Sequence, residues 1–209
     1  MPRPPNIYIV GAQCTGKTTL VNNLRNYFDS ASSQEPPLLI TEVARTVLKK
    51  HSFTAADVVD PDRSMQLQSL ILQAQASVER EAANSSQWFI SDRSGADPIA
   101  YALRYVDQGR AQQLINSPEW KDLRSGMQGA AVVVCEASRE AESWLMDDGV
   151  RLMPEDVDDW IAMHKMFCKF FKEQGIKYDV LSAGVGDHQE RVDYVLQSWQ
   201  RLKAWNESN

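Results

Sequence analysis

The sequence predicts an α/β fold, a three-layer arrangement in which a five-stranded parallel sheet carries helices on both faces. Two observations support this prediction. Short apolar runs alternate with segments whose apolar residues recur at helical spacing, which is the pattern of repeated strand–helix units. The apolar runs are hydrophobic at nearly every position, as in strands whose two faces are both buried. The predicted strands are residues 6–10, 38–41, 88–91, 130–135 and 177–181.

The helices are predicted from the apolar stripes between these strands and from their start and stop signals. Residues 52–63 contain three aspartates and a proline and are predicted to be irregular and mobile. A long helix over 64–83 carries several glutamines, for which we prefer a solvated face over contact with a substrate base: Gln66, Gln68, Gln73 and Gln75. The other predicted helices are 17–28, 43–50, one from about Ala96 that ends at Gly109 and Arg110, two short helices within 110–129, 139–146, one from Pro154 to a cap at Gly175, and one from Asp187 whose tail frays from Asn206.

The first predicted strand runs into a glycine-bounded loop and then into a helix. Gly11, Gly16, Lys17 and Thr18 satisfy the pattern G-x-x-x-x-G-K-[ST], the signature of a P-loop. The glycines let backbone N–H groups approach a phosphate chain, and the helix start directs its positive dipole end to the same phosphates. Lysine at this position reaches the β- and γ-phosphates, and the threonine hydroxyl can ligate Mg²⁺. The predicted nucleotide-binding residues are Gly11, Ala12, Gln13, Cys14, Thr15, Gly16, Lys17, Thr18 and Thr19.

Length and composition restrict the class of protein. The chain of 209 residues is predicted to form a single domain, 1–209, that could carry a lid around 136–153. A net charge of −6 argues against a general nucleic-acid binder and favours a small-molecule substrate. Three widely spaced cysteines suggest neither zinc nor a disulfide framework, and they fit a reducing, cytoplasmic compartment. The apolar runs give no signal peptide or membrane span, so no membrane partner is expected.

Polar residues follow the second and third predicted strands, at the sheet edge where ligands of parallel sheets bind. Asp92 is placed where a P-loop enzyme has its Mg²⁺-associated carboxylate, which gives Thr18 and Asp92 as the predicted metal residues. Arg93 could stabilise charge on a transferring phosphoryl group, or could be a surface arginine paired with Asp92 or Asp97.

Glu42 occupies the corresponding end of the second strand. Its carboxylate could accept a proton from a substrate hydroxyl, or could be a helix N-terminal acid stabilised by the helix dipole. Arg45 could hold an anionic substrate or pair with Glu42. Arg139 and Arg151 flank the predicted lid segment, and Arg151 is the favoured lid arginine because it follows a tight Asp-Gly turn.

Four segments in this order resemble the P-loop family that contains the nicotinamide riboside kinase domain of the bacterial NAD regulator and related eukaryotic ATP/GTP-binding proteins. The segments are 11–19, 41–45, 92–101 and 147–151, and the resemblance extends over about residues 6–190. It implies a nucleoside- or nucleotide-kinase-like fold with the sheet order 2-3-1-4-5. It also implies Asp92 as the acid of the third strand, Asp97 and Tyr101 near the acceptor, and Arg151 on the lid side.

Two functions are compatible with these residues. The leading hypothesis is a kinase of a nucleoside, nucleotide or similar metabolite, with ATP·Mg²⁺ on residues 11–19 and catalysis by Lys17, Glu42, Asp92, Arg93 and Arg151. Its acceptor would lie between Glu42, Arg45, Asp97 and Tyr101. The alternative is a nucleotide-dependent switch, because residues 92–95 fit D-x-x-G; the sequence has no N-K-x-D motif for guanine, so ATP is favoured over GTP. The acceptor and the oligomeric state do not follow from the sequence.

Overall fold

A single parallel sheet organises the molecule, which we describe from a computed structural model for residues 3–30, 35–85, 87–146 and 152–208. Its strands are β1 (Ile7–Val10), β2 (Leu38–Ile40), β3 (Phe89–Asp92), β4 (Ala131–Cys135) and β5 (Asp179–Leu181). They pair in the order β2-β3-β1-β4-β5, and every pairing is parallel. The predicted fold class and the sheet order implied by the resemblance are therefore confirmed.

Helices connect the strands. They are α1 (Lys17–Ser30), α2 (Val43–Lys50), α3 (Pro61–Asn84), α4 (Ala96–Tyr105), α5 (Gln108–Asn116), α6 (Pro118–Gln128), α7 (Val157–Glu173) and α8 (His188–Ser208). Short 3₁₀ helices cover Ala55–Val58 and Arg139–Trp144. In the part of the chain that the structure describes, every helix is too short or too polar to cross a bilayer.

Alternation along the strands divides the apolar core into two layers. Ile7 and Ile9 of β1 pack in one layer with α1 and α8, and Tyr8 and Val10 pack in the other with the helices of α3 to α7. All four side chains are fully buried. The core thus holds the strands rigidly and leaves their carboxyl ends as one polar edge. α8 is also tied to the start of the chain, because the Trp199 indole N–H donates to the Pro5 carbonyl at 2.7 Å.

The segment before α3 corrects one prediction. Residues 52–63 are not irregular throughout: Thr54 and Asp57 form a capping box for the first 3₁₀ helix, and α3 begins at Pro61. Asp60 caps α3, because its carboxylate accepts the Arg63 backbone N–H at 2.8 Å. The aspartates and the proline that suggested a loop are in fact helix-start signals.

The prediction that the four glutamines of α3 form a solvated face is wrong for two of them. Gln66 and Gln73 are exposed, as predicted. Gln68 and Gln75 are only 3% and 2% exposed. They lie seven positions apart and therefore share the face of α3 that is turned to the protein interior.

Several predicted boundaries also need correction. Gly109 and Arg110 do not break a helix; the chain turns at Asp107, whose carboxylate caps α5 by accepting the Arg110 backbone N–H at 2.8 Å. The predicted helix 139–146 is a kinked 3₁₀ helix that ends at Trp144. α7 begins at Val157 rather than Pro154, because Asp156 is its N-cap, and the last helix continues past Asn206 to Ser208.

Candidate active site

The P-loop, residues 11–19, has a backbone conformation that requires glycine at positions 11 and 16. Gly11 has φ of 131°, and a Cβ there would lie 2.6 Å from the Cys135 carbonyl oxygen of β4. Gly16 has φ of 75°. Cys14 has φ of 58° without being glycine, so the loop holds it in the left-handed region. The loop turns back tightly over β4 and leads directly into α1 at Lys17.

Distant parts of the chain hold this loop in place. The Trp160 indole N–H of α7 donates to the Gln13 carbonyl at 2.7 Å. The Arg191 guanidinium of α8 donates to the Thr15 carbonyl at 3.0 Å and lies over the Trp144 ring, 5.2 Å from its centroid. Both Trp160 and Arg191 are buried. The sequence reasoning did not identify Trp160, Trp144 or Arg191, since these contacts depend on how α7 and α8 pack.

Lys17 lies across the loop. Its side chain is buried, and its ammonium donates to the Ala12 carbonyl and to the Thr15 hydroxyl, the latter at 3.3 Å. Burial, with a further contribution from the positive charge of Arg93, lowers the pKa of Lys17 to about 8. The carboxylates of Asp92 and Asp97 act in the opposite direction. Anionic phosphates beside Lys17 would stabilise its charged form.

Thr18 and Asp92 meet where the metal is predicted. The Thr18 hydroxyl donates to the Asp92 carboxylate at 2.6 Å, which joins the start of α1 to the end of β3. Thr18 is exposed and Asp92 is 8% exposed. Two neighbouring oxygen donors at an open edge fit Mg²⁺, which takes few protein ligands and completes its shell with water and phosphate. The residues present therefore suit the predicted ion.

Arg93 is held by Asp97. Its guanidinium lies 3.0 Å from the Asp97 carboxylate, which also accepts the Ser94 backbone N–H at 2.8 Å. Burial lowers the pKa of Arg93, but the negative groups, led by Asp97, outweigh it and raise that pKa above its ordinary value. Arg93 also has φ of 83°, a left-handed conformation. The structure shows the pairing with Asp97, and both residues line the cleft described below.

Glu42 and Arg45 form the opposite wall. Glu42 precedes α2 in a left-handed conformation, with φ of 59°, and its side chain makes no capping hydrogen bond. Its carboxylate pairs with the Arg45 guanidinium at 3.2 Å, and both side chains remain about half exposed. Three of the four non-glycine residues with positive φ in the described ranges, Cys14, Glu42 and Arg93, line the same cleft. Such backbone strain is most common at functional sites.

One cavity of about 410 Å³ brings the predicted groups together. Its wall includes most of the P-loop, the metal pair Thr18 and Asp92, and the acceptor-side residues Glu42, Arg45, Asp97 and Tyr101. The Tyr101 hydroxyl is 3.5 Å from the Gln13 side-chain oxygen, which links the two sides. Gln68 and Gln75 line the cavity as well. The sequence shows that they lie seven residues apart on α3, but the polarity of glutamine by itself indicates an exposed face.

Described residues at the two ends of the predicted lid segment line this cavity. Trp144, Met146 and Leu152 contribute to its wall, and the Leu152 carbonyl accepts a hydrogen bond from the Gln13 amide at 3.3 Å. Arg139 pairs instead with Asp158 on the surface. Arg151, the predicted lid arginine, lies outside the described residues together with 147–150. Its role therefore stays a prediction.

Comparisons with known proteins identify the same architecture. A family model described as AAA domain matches residues 6–191. No curated protein is significantly similar to the chain in sequence.

Three solved structures are similar to the chain in fold. The NadR protein in complex with NR aligns with a TM-score of 0.70 and 19% identity, covering 96% of this chain and 52% of that one. Deoxyadenosine kinase from M. mycoides with bound dATP aligns with a TM-score of 0.57 and 18% identity, covering 94% of this chain and 99% of that one. Shikimate kinase from Acinetobacter baumannii in complex with shikimate aligns with a TM-score of 0.56 and 15% identity, covering 93% of this chain and 92% of that one. At these identities the likeness shows the fold alone, and this chain spans about half of the NadR chain.

Proposed function

The chain belongs to the AAA domain family and has the fold of P-loop kinases, and on that premise we propose that it transfers the γ-phosphoryl group of ATP to a small-molecule acceptor. A nucleoside, a nucleotide or a metabolite of similar size is the proposed acceptor class. The observation that carries the proposal is one continuous cavity of about 410 Å³, which joins the P-loop to a second set of polar side chains. Its volume suits a small organic ligand. The solved structures of similar fold support the proposal, since two of the three are named as kinases.

The donor half would use the P-loop. Its backbone N–H groups and the Lys17 ammonium would bind the phosphates of ATP, while Thr18 and Asp92 would hold Mg²⁺. The ion would neutralise charge on the β- and γ-phosphates. Arg93, kept in place by Asp97, is the cation of the described wall best positioned to stabilise negative charge on the phosphoryl group in flight.

The acceptor half would use the opposite wall. Glu42 has an accessible carboxylate with no capping role, so it could receive the proton of an attacking hydroxyl. Arg45, Asp97 and Tyr101 would orient the acceptor for in-line attack. Most of the rate enhancement would come from holding the two substrates in one closed cleft, with Arg151 completing it from the lid.

One observation weighs against the nucleotide-switch alternative. Its main support was the D-x-x-G pattern of residues 92–95, in which the glycine would contact the γ-phosphate. In the structure, a Cβ on Gly95 would lie 2.5 Å from the Leu123 side chain of α6. Close packing between α4 and α6 therefore explains the glycine without a switch.

Transfer assays test the proposal directly. The purified protein with Mg²⁺ and either ATP or GTP should phosphorylate at least one member of a panel of nucleosides, nucleotides and hydroxyl-bearing metabolites. Lys17→Ala should abolish transfer, whereas Lys177→Ala, at an exposed lysine far along the chain, should not. Tight ATP binding without transfer to any acceptor would refute the kinase and favour the switch.

A further inference from the structure

Four buried polar side chains form a hydrogen-bond network beneath the cavity wall, and this network has no part in the proposed phosphoryl transfer. The Gln75 amide nitrogen donates to the Glu79 carboxylate at 2.8 Å and to the Ser91 hydroxyl at 3.1 Å. The other Glu79 oxygen accepts the Tyr8 hydroxyl at 2.5 Å. Glu79 is 8% exposed, and the other three are 2% exposed or less. The hydrogen-bond network extends from Tyr8 on β1 through Glu79 on α3 to Gln75, which lines the cavity.

Glu79 determines which way the Gln75 carboxamide faces. An ionised carboxylate has only acceptor sites, so it must face the amide NH₂ and would repel the amide oxygen. Both Glu79 oxygens are engaged by donors, one from Gln75 and one from Tyr8. Burial and the neighbouring Glu79 raise the pKa of Tyr8 well above its ordinary value, so the phenol keeps its proton. Both N–H bonds of Gln75 are therefore used inside the protein.

The oxygen of the same carboxamide is left for a ligand. It accepts no hydrogen bond from any residue in the described ranges, although its residue is nearly fully buried and lines the cavity. This oxygen is not one of the fully buried atoms that lack a partner, so a ligand in the cavity can reach it. A ligand that covers it without supplying a donor would leave the oxygen unpaired and would bind more weakly. A ligand that brings only oxygen lone pairs to this point would also be repelled.

We propose that Gln75 is a specificity-determining residue, oriented by Glu79, whose side-chain oxygen accepts a hydrogen bond from an N–H group of the phosphoryl acceptor. The acceptor class is thereby narrowed to hydroxyl compounds that carry a carboxamide or an amino-substituted heterocycle. This inference rests on the proposed kinase function and deepens it. Glu79 acts as a positioning residue, since it touches Gln75 and not the substrate.

Matched acceptor pairs test the inference. In each pair the second member lacks the exocyclic N–H donor of the first and gains no ring N–H: nicotinamide riboside and nicotinic acid riboside, cytidine and pyrimidin-2-one riboside, adenosine and purine riboside. Assays at pH 8 keep Glu79 ionised, because burial raises its pKa only to about 7. For at least one pair, kcat/KM should favour the N–H member by about tenfold or more, as expected for one unpaired buried acceptor.

Variants on α3 assign the preference to Gln75. Gln75→Met keeps the side-chain length but removes the oxygen, so the ratio within the pair should fall to near one while ATP affinity is retained. Gln73→Met, at an exposed glutamine on the same helix, is the matched control and should keep the ratio. Glu79→Gln supplies a second variant: its amide can donate to Gln75, which lets the carboxamide turn, so the ratio should narrow.

The outcomes separate the two levels of the argument. Transfer to both members of every pair at equal kcat/KM would overturn the role of Gln75 and leave the kinase intact. A preference that survives unchanged in folded Gln75→Met would do the same. A preference that survives unchanged in Glu79→Gln would remove Glu79 as the positioning residue. Absence of transfer to all six compounds, while another hydroxyl compound of the wider panel is phosphorylated, would overturn this inference alone. Absence of transfer to the whole panel, with ATP bound, would contradict the proposed function as well.

Discussion

Nucleotide binding at alkaline pH should draw a proton onto Lys17. In the structure the pKa of Lys17 is lowered to about 8, chiefly by burial and then by the positive charge of Arg93. The triphosphate would place several negative charges beside the ammonium and raise that pKa well above 9. At pH 9 only about one Lys17 in eleven is charged before binding, so complex formation should take up about 0.9 proton. Affinity for ATP should correspondingly fall about tenfold between pH 7 and pH 9.

Calorimetry in buffers of different ionisation enthalpy measures the protons taken up. Wild-type protein at pH 7 should take up about 0.1 proton, and at pH 9 about 0.9. Lys17→Met should bind more weakly and show no such uptake, whereas Lys177→Met should behave as the wild type. Uptake near zero at pH 9 in the wild type, or equal uptake in Lys17→Met, would refute the reasoning.

Three further predictions concern residues that support the site. Burial raises the folded-state pKa of Glu79 from 4.5 to about 7. The stability that protonated Glu79 contributes is therefore present at low pH and is lost as the pH rises through 7. Between pH 4 and pH 8 the free energy of unfolding, measured with denaturant, should fall by about 3 kcal/mol more in the wild type than in Glu79→Gln. An equal loss in both proteins would contradict this. Gly11→Ala should destabilise the fold by at least about 2 kcal/mol, because its Cβ meets the Cys135 carbonyl, while Gly186→Ala, with open space around it, should unfold as the wild type does. Trp160→Phe removes the hydrogen bond of a buried indole to Gln13, and Trp120→Phe removes that of another buried indole to Gln174. Each variant should lower the free energy of unfolding by ~2 kcal/mol. Only Trp160→Phe should also weaken ATP binding, and equal ATP affinity in the two variants would show that Trp160 does not support the P-loop.

The sequence predicted the features that depend on neighbouring residues. The strand, the P-loop and α1 are contiguous, so their pattern could be recognised directly, and Asp92 followed from its place at the end of a strand. The start of α3 was missed although its signals are local, because Asp60 and Pro61 were interpreted as loop residues rather than as a cap and a first helical turn.

The supports of the site could not be predicted because their partners are distant in the chain. Arg191 lies 176 positions from Thr15, the carbonyl it binds. The polarity of Gln75 indicates a surface residue, since a buried carboxamide is tolerated only where donors and acceptors surround it. Those partners are Glu79 on the same helix and Ser91, 16 positions away on β3. Only the packing of α3 against the sheet shows that they meet.

The attachment of α8 to both Pro5 and Thr15 has a consequence for synthesis of the protein on the ribosome. The P-loop leaves the exit tunnel long before α8, because the arginine that binds its Thr15 carbonyl is translated more than 170 positions later. A nascent chain that has not yet released α8 therefore carries the full motif without its finished geometry. Competence to bind ATP would arise late and cooperatively in translation, when α8 docks against α1, β4 and β5, rather than when the motif itself emerges.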